Sequence, residues 1–387
     1  MTDRIPRWDV IIVGARVAGA ATAMLMARQG LRVLCLDRGH YGLDTMSTHA
    51  LMRGGVVQLH RWGLLDAVAA AGTPVVRRTV LHYRGESVAV SIRPSAGVDA
   101  LYAPRRTVLD PLLVDAAGRA GSTFEFGWNV KALHFDGDGR VAGVVAENRK
   151  TGARRIERAP LVVGADGRDS VVARTTEGLV ISGQHASGFL YGYWADLPSD
   201  GFEWFYDAGV TAGIIPTNGG LACVFVGARA SQLRTMVRAG GASSAFETLA
   251  AAAGISERLG AAEPAEAIRY AGNLPPAHLR QAYGPGWALV GDAGHWLDPL
   301  STHGMTSALR DAELLSRAVL ATPGPERSAA LHEYQANRDR LSRPMIAISD
   351  EIASYSWDLT RIRELVRTLS ALMADEVEAL TALSPAA

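Results

Sequence analysis

The chain has 387 residues, 39 basic and 39 acidic, and no formal net charge, which excludes a nucleic-acid-binding stripe and an acidic disordered arm. Its two cysteines, Cys35 and Cys223, lie in apolar runs, so neither a disulfide framework nor a metal cluster is expected. The opening MTDRIPRWD lacks an apolar signal region and no apolar run is long enough to span a bilayer, so a cytoplasmic protein without stable membrane insertion is expected.

The apolar, β-branched runs WDVIIV and LRVLCLD predict two buried parallel strands. Between them AGAATAMLMARQG reads as a helix closing on Gly30, so the chain opens with a βαβ unit. TVLHYRGESVAVSI alternates about Arg84-Gly85 as a hairpin, and RRTVLDPLLVDAAGRAG predicts a helix. FEFGWNVKALHFDGDGRVAGVVAEN reads as two or three antiparallel strands turning at DGDG. APLVVGADG is another buried strand ending in a glycine turn, residues 190 to 226 are strand-like and aromatic, and GWALVGDAGH repeats the strand-then-glycine pattern. From Met305 onward the chain reads as helical, with a break expected at Pro344. Together these elements predict one discontinuous α/β domain over 1–78, 100–178 and 280–325. A β-rich domain is expected over 79–99 and 179–279, and a helical segment over 326–387.

The stretch VIIVGARVAGAATA carries a degraded dinucleotide fingerprint. Gly14 occupies the place of the tight turn and Gly19 that of close helix–strand packing, while Arg16 stands where a second glycine usually lets the backbone approach a pyrophosphate. The helix N-terminus that follows offers free N–H groups and positive dipole to an anion. Asp37, at the end of the second strand, suits ribose hydroxyls and would repel a 2′-phosphate.

Two later motifs, VVGADGRDSVVAR (162–174) and ALVGDAGHWLDPLSTHGMTSALRDAELL (288–315), complete an ordered set with the first turn. The set resembles the para-hydroxybenzoate hydroxylase-like FAD-dependent monooxygenases and oxidoreductases, the class A flavoprotein monooxygenases, over roughly residues 8 to 320. The resemblance implies a Rossmann-like FAD domain of the glutathione-reductase type, with an inserted β-rich substrate domain and C-terminal helices. It implies that Gly14, Arg16, Val17, Ala18 and Gly19 wrap the FAD pyrophosphate, and that Asp37 holds the adenosine ribose with Arg38 beside it. Arg106 would reach the phosphate or ribityl region, Val130 would contact adenine through its backbone, and Asp166 would support both FAD and a transient nicotinamide cofactor. Asp292 would hold a ribityl hydroxyl, and Gly304 and Met305 would open a helix beneath the flavin ring, next to Pro299. A helix N-terminus there is suited to the negative N1–C2=O edge of a reduced flavin. Many relatives have two prolines where this chain has Asp298-Pro299, and a Gly-Gln-Gly-like run where it has Thr302-His303-Gly304.

A single dinucleotide turn means that NAD(P)H, as reductant, binds transiently on the FAD domain. The expected reaction is hydroxylation or epoxidation of an aromatic or polycyclic small molecule with O2, through a flavin C4a-hydroperoxide in an enclosed pocket. Tyr191, Tyr193, Trp204, Phe205 and Tyr206 are candidates for the substrate wall, and equally for plain core. The run STHALMRGGVVQLHRWGLLD matches the family helix beside the flavin; Arg53 in it is a candidate for cofactor phosphates. His49 and His303 are candidate general bases, or satisfied structural histidines. The flavin halogenases fit less well, because VTAGIIPTNGG has Ile-Pro but no tryptophan and the lysines are Lys131 and Lys150. The runner-up is an oxygen-independent reductase of the geranylgeranyl-reductase type. Oligomeric state is left open.

Overall fold

The computed structural model describes residues 8–176, 178–322 and 327–384; the first seven residues of the opening stretch lie outside them. A six-stranded sheet carries the first domain, in the order Tyr283–Gly284, Trp287–Leu289, Val162–Gly164, Val10–Val13, Val33–Asp37, Thr123–Phe126. All neighbours are parallel except the first pair, an edge hairpin. The apolar runs are continuous because both faces are covered. Val10 and Ile12 point to one core, with the helices Val17–Arg28, Arg106–Arg119 and Gly304–Ala321; Ile11 and Val13 point to the other, under the antiparallel strands Trp128–Phe135, Val141–Asn148 and Arg154–Arg158.

The second sheet has eight strands. Its centre is Ser187–Ala195, Leu221–Arg229, Val210–Pro216 and Phe202–Asp207, and the hairpin Arg78–Tyr83/Glu86–Ser91 extends it through a parallel pairing with Phe202–Asp207. Arg84 and Gly85, both at positive φ, make the expected tight turn. One face of this sheet packs into the main core with Phe189, Tyr191, Tyr193 and Phe225; the other covers a separate core under the helix Ala230–Ala252.

Three expectations are corrected. Thr123–Phe126 does not join the antiparallel strands that follow it but pairs in parallel with Val33–Asp37, because its apolar neighbours cap the open edge of the central sheet. The alanine-rich helix Ala230–Ala252 covers the insertion that otherwise reads as β-rich. Pro344 does not break the chain: Ser328–Ala353 is one helix. The carbonyl whose bond Pro344 removes belongs to Arg340, an exposed residue with water for a partner, while Leu341, Met345 and Ile346 around it are buried and hold the axis.

Candidate active site

At the first turn the backbone is bound to glycine. Gly14 has φ +102°, and a Cβ there would lie 2.4 Å from the carbonyl oxygen of Ala165; a Cβ on Gly19 would lie 1.8 Å from the carbonyl oxygen of Gly14. The helix Val17–Arg28 therefore starts hard against the strand, with no side-chain cap on its N-terminal N–H groups. Asp37 holds this cradle as well as facing it: its two carboxylate oxygens accept from the N–H groups of Ala15 (2.7 Å) and Gly39 (2.6 Å). Ala15, Arg16, Asp37, Gly39, Asp110 and Phe126 line a cleft at this end.

Arg16 takes the place of the missing glycine, and its Nη1 is buried with no partner. Burial and the nearby Arg106 lower its proton affinity. Arg106 itself makes a bidentate pair with Asp110 (2.8 and 2.9 Å) inside the same helix. Arg38 is exposed, and its carbonyl accepts from Arg149. Val130 sits at a register shift in its strand, its side chain in the core. Asp166 accepts from the N–H of Val171 with one oxygen, and its other oxygen is buried and unpartnered. Arg53 donates to the carbonyls of Arg93 and Val98 and so holds the segment after the hairpin. The lysine that a halogenase would need is not near: Lys131 pairs with Glu147 on the outer antiparallel sheet.

The turn after Trp287–Leu289 packs on the first helix, where a Cβ on Gly291 would lie 3.0 Å from the Ala18 Cβ, and the helix Gly304–Ala321 follows it. Residues Thr306 to Ala312 of that helix are buried, whereas Gly304 is exposed and Met305 half-buried, so the first turn of the helix is open to solvent. His303, at its N-cap, makes no side-chain cap, and Pro299 lies in the short helical turn before it. Asp292 stands beside this terminus, 3.9 Å from where a Cβ on Gly304 would be. Burial lifts its carboxyl to about 6, against the pull of Arg106 and Arg168. A carboxylate left raw in this way is one that a hydroxyl donor would stabilise.

His49 joins this region to the aromatic face of the second sheet, and Arg106 acts electrostatically on Arg16, Asp292 and His49 alike. The His49 backbone is left-handed (φ +67°), its side chain is fully buried, and its Nε2 lies 2.5 Å from the Tyr193 hydroxyl. Burial, aided by Arg106, drives the imidazole down to about 3, and burial likewise raises the Tyr193 phenol. Both are therefore neutral near neutral pH, and His49 in this closed form is a weak base. Its Nδ1 has no partner. Strand alternation puts Tyr191, Tyr193, Trp204 and Tyr206 on this face. Phe205 belongs to the other face, stacked 4.2 Å from His82, so it does not share a face with the other four aromatics.

Sequence reading passed over several residues here. Asp44, Arg105, Glu266 and Arg269 form a closed ring of alternating charges, with contacts of 3.2, 2.8, 2.7 and 3.1 Å. The Arg105 guanidinium lies 4.1 Å over the Tyr193 ring. Asp298 accepts from the N–H and hydroxyl of Ser187 (2.8 and 2.5 Å) and ties the sheet to the turn before His303. His303 is buried against Glu376 of the helix Leu359–Thr381.

Comparison with known proteins gives a consistent picture. A family model described as "FAD binding domain" matches residues 7–349. Digeranylgeranylglycerophospholipid reductase 2 of Methanopyrus kandleri is 29% identical over 316 residues, covering 78% of this chain and 74% of that protein. Menaquinone reductase of Mycolicibacterium smegmatis is 26% identical over 408 residues, covering 96% and 93%. Among solved structures, pqsL, a probable FAD-dependent monooxygenase from Pseudomonas aeruginosa, superposes with a TM-score of 0.78 at 22% identity, over 93% of this chain and 99% of that one.

Proposed function

The chain belongs to the FAD-binding domain family and is an FAD-dependent oxidoreductase; from that premise we propose that it is a monooxygenase acting on an aromatic or polycyclic small molecule with NAD(P)H and O2. The residues present fit the cofactor. The Gly14–Gly19 cradle leaves no room for a Cβ, Arg16 Nη1 and Asp166 Oδ1 are buried without partners, and the helix at Gly304 starts without a side-chain cap. In this reading the N–H groups at Val17 to Gly19 and Arg16 take the pyrophosphate, Asp37 the ribose, Asp292 a ribityl hydroxyl, and the N–H groups at Gly304 and Met305 the flavin's pyrimidine edge. Bound FAD supplies the redox chemistry, accepting hydride from a transiently bound nicotinamide and passing electrons to oxygen or substrate.

The chain's own groups then position the substrate. In this reading the substrate would lie against the face that carries Tyr191, Tyr193, Trp204 and Tyr206, with its hydroxyl directed to His49 Nδ1, which is buried and unpartnered. A second reading, an oxygen-independent reductase, draws on the reductases among the sequence relatives. The charged ring of Asp44, Arg105, Glu266 and Arg269 beside Tyr191 and Tyr193 favours a polar or aromatic ligand over a long apolar chain on that face. The observation that supports the first reading is the glycine cradle together with Asp292 beside an uncapped helix terminus, with Arg106 acting on Arg16, Asp292 and His49 alike. The test is anaerobic reduction of the FAD-loaded protein by NADH or NADPH, followed by air in the presence of phenolic substrates. A product heavier by one oxygen atom supports it; saturation of an alkene without oxygen selects the reductase.

A further inference from the structure

Glu376 lies on the last helix, outside the residues matched by the family model, and is fully buried. Each of its carboxylate oxygens is engaged. Oε2 pairs with His303 Nε2, and Oε1 accepts from Arg310 Nη1 at 3.2 Å. Arg310, also fully buried, donates through Nε and Nη2 to Asp311 Oδ1 (3.0 and 2.8 Å). Asp311 Oδ2 accepts from the backbone N–H of Gly291 at 3.1 Å.

Both branches end one residue short of a cofactor contact named above. His303 immediately precedes Gly304, where the helix starts; Gly291 immediately precedes Asp292. A third segment also closes on this carboxylate: a Cβ on Gly54, in the helix Arg53–Arg61 that follows His49, would lie 3.7 Å from Glu376 Oε2. Burying charges costs several kcal/mol per ion before pairing, and well-packed apolar replacements of such groups are often neutral or better. His303 and Arg310 hold Glu376 below the ordinary carboxylate range despite its burial, so the negative charge is retained.

We propose that Glu376 is a positioning residue for the flavin end of the site. One branch, through His303, fixes the helix terminus; the other, through Arg310 and Asp311, fixes the turn that carries Asp292. The C-terminal helix thereby sets both the grip on FAD and the charge beneath its pyrimidine edge. The proposal rests on the reading that this edge lies at Gly304.

The test compares full-length Glu376→Gln, Glu376→Ala and Leu365→Ala proteins, reconstituted with FAD. The readouts are the FAD dissociation constant, the flavin visible spectrum and its midpoint potential. Leu365 is buried on the same helix, so its truncation controls for loss of packing. Glu376→Ala should weaken FAD binding at least tenfold, an effect of about 1.4 kcal/mol. Glu376→Gln keeps the shape and one hydrogen bond, so it should bind FAD more nearly as the parent does while its potential moves positive. Leu365→Ala should lose stability with both constants unchanged. If Glu376→Ala does not fold, Glu376→Gln carries the test. Flavin affinity and potential that match the parent in the Glu376 variants, or that move equally in Leu365→Ala, overturn the proposal and leave the cofactor assignment standing. A parent protein that takes up no FAD overturns both.

Discussion

Single residues in this site act through what they lack. Gly14 lacks a Cβ that would collide with Ala165, and Gly14→Ala adds that clash to a left-handed backbone cost of about 1–2 kcal/mol. The expected result is purified protein without bound flavin, read from the ratio of visible to ultraviolet absorbance. His49 lacks a charge. Its imidazole, down to about 3 when folded, sits near 6.5 when unfolded. Between those values the unfolded chain holds the extra proton, so stability rises with pH through that window and is unaffected by this group above it. The slope approaches 1.4 kcal/mol per pH unit. Urea unfolding at several values between about pH 4 and pH 6 should show a shallower slope for His49→Gln than for the parent. Equal slopes would mean that the buried imidazole takes up its proton in the folded state.

At the scale of elements, side chains from one segment complete another. Asp298 gathers three donors, the N–H and hydroxyl of Ser187 and the N–H of Leu300, and is fully buried. Asp298→Ala leaves the Ser187 groups unsatisfied between sheet and turn. At about 1–3 kcal/mol for each stranded donor, a loss of several kcal/mol is expected, measured by denaturant unfolding. A loss below about 1 kcal/mol would show that the sheet strand is held there by packing alone. The charge ring of Asp44, Arg105, Glu266 and Arg269 belongs to the opposite regime. Its members are partly exposed, and surface pairs contribute about 0–1 kcal/mol each. Arg269→Gln should therefore cost little stability, and a drop in melting temperature comparable with that of Asp298→Ala would refute this.

For the whole molecule, FAD held at the Gly14, Asp166 and Asp292 turns would tie distant parts of the chain together. FAD should raise the melting temperature in a concentration-dependent way, by the equivalent of about 2.7 kcal/mol at a hundred times its dissociation constant. A scan that is indifferent to added FAD would contradict the family assignment at this site. The ordered motifs that carry that assignment, the Gly14 turn, the Asp166 turn and the Asp292 turn, were legible in the sequence because each is local. A strand, a glycine and an acid within a few positions make the same turn wherever the chain goes.

What the sequence alone determined was the set of elements fixed by short-range rules: the βαβ opening, the Arg84-Gly85 hairpin and the glycine turns. What only the tertiary structure decided was pairing at a distance. Thr123–Phe126 became a parallel strand because an open sheet edge lay beside it, and Pro344 stayed helical because buried neighbours outweighed one lost hydrogen bond. Arg310, Asp311 and Glu376 became a buried network although each reads as an ordinary charge on a helix. Charge on an apolar stripe shows only that something must neutralise it. Which partner does so depends on contacts tens to hundreds of residues away, as between His303 and Glu376, and local pattern does not encode that choice.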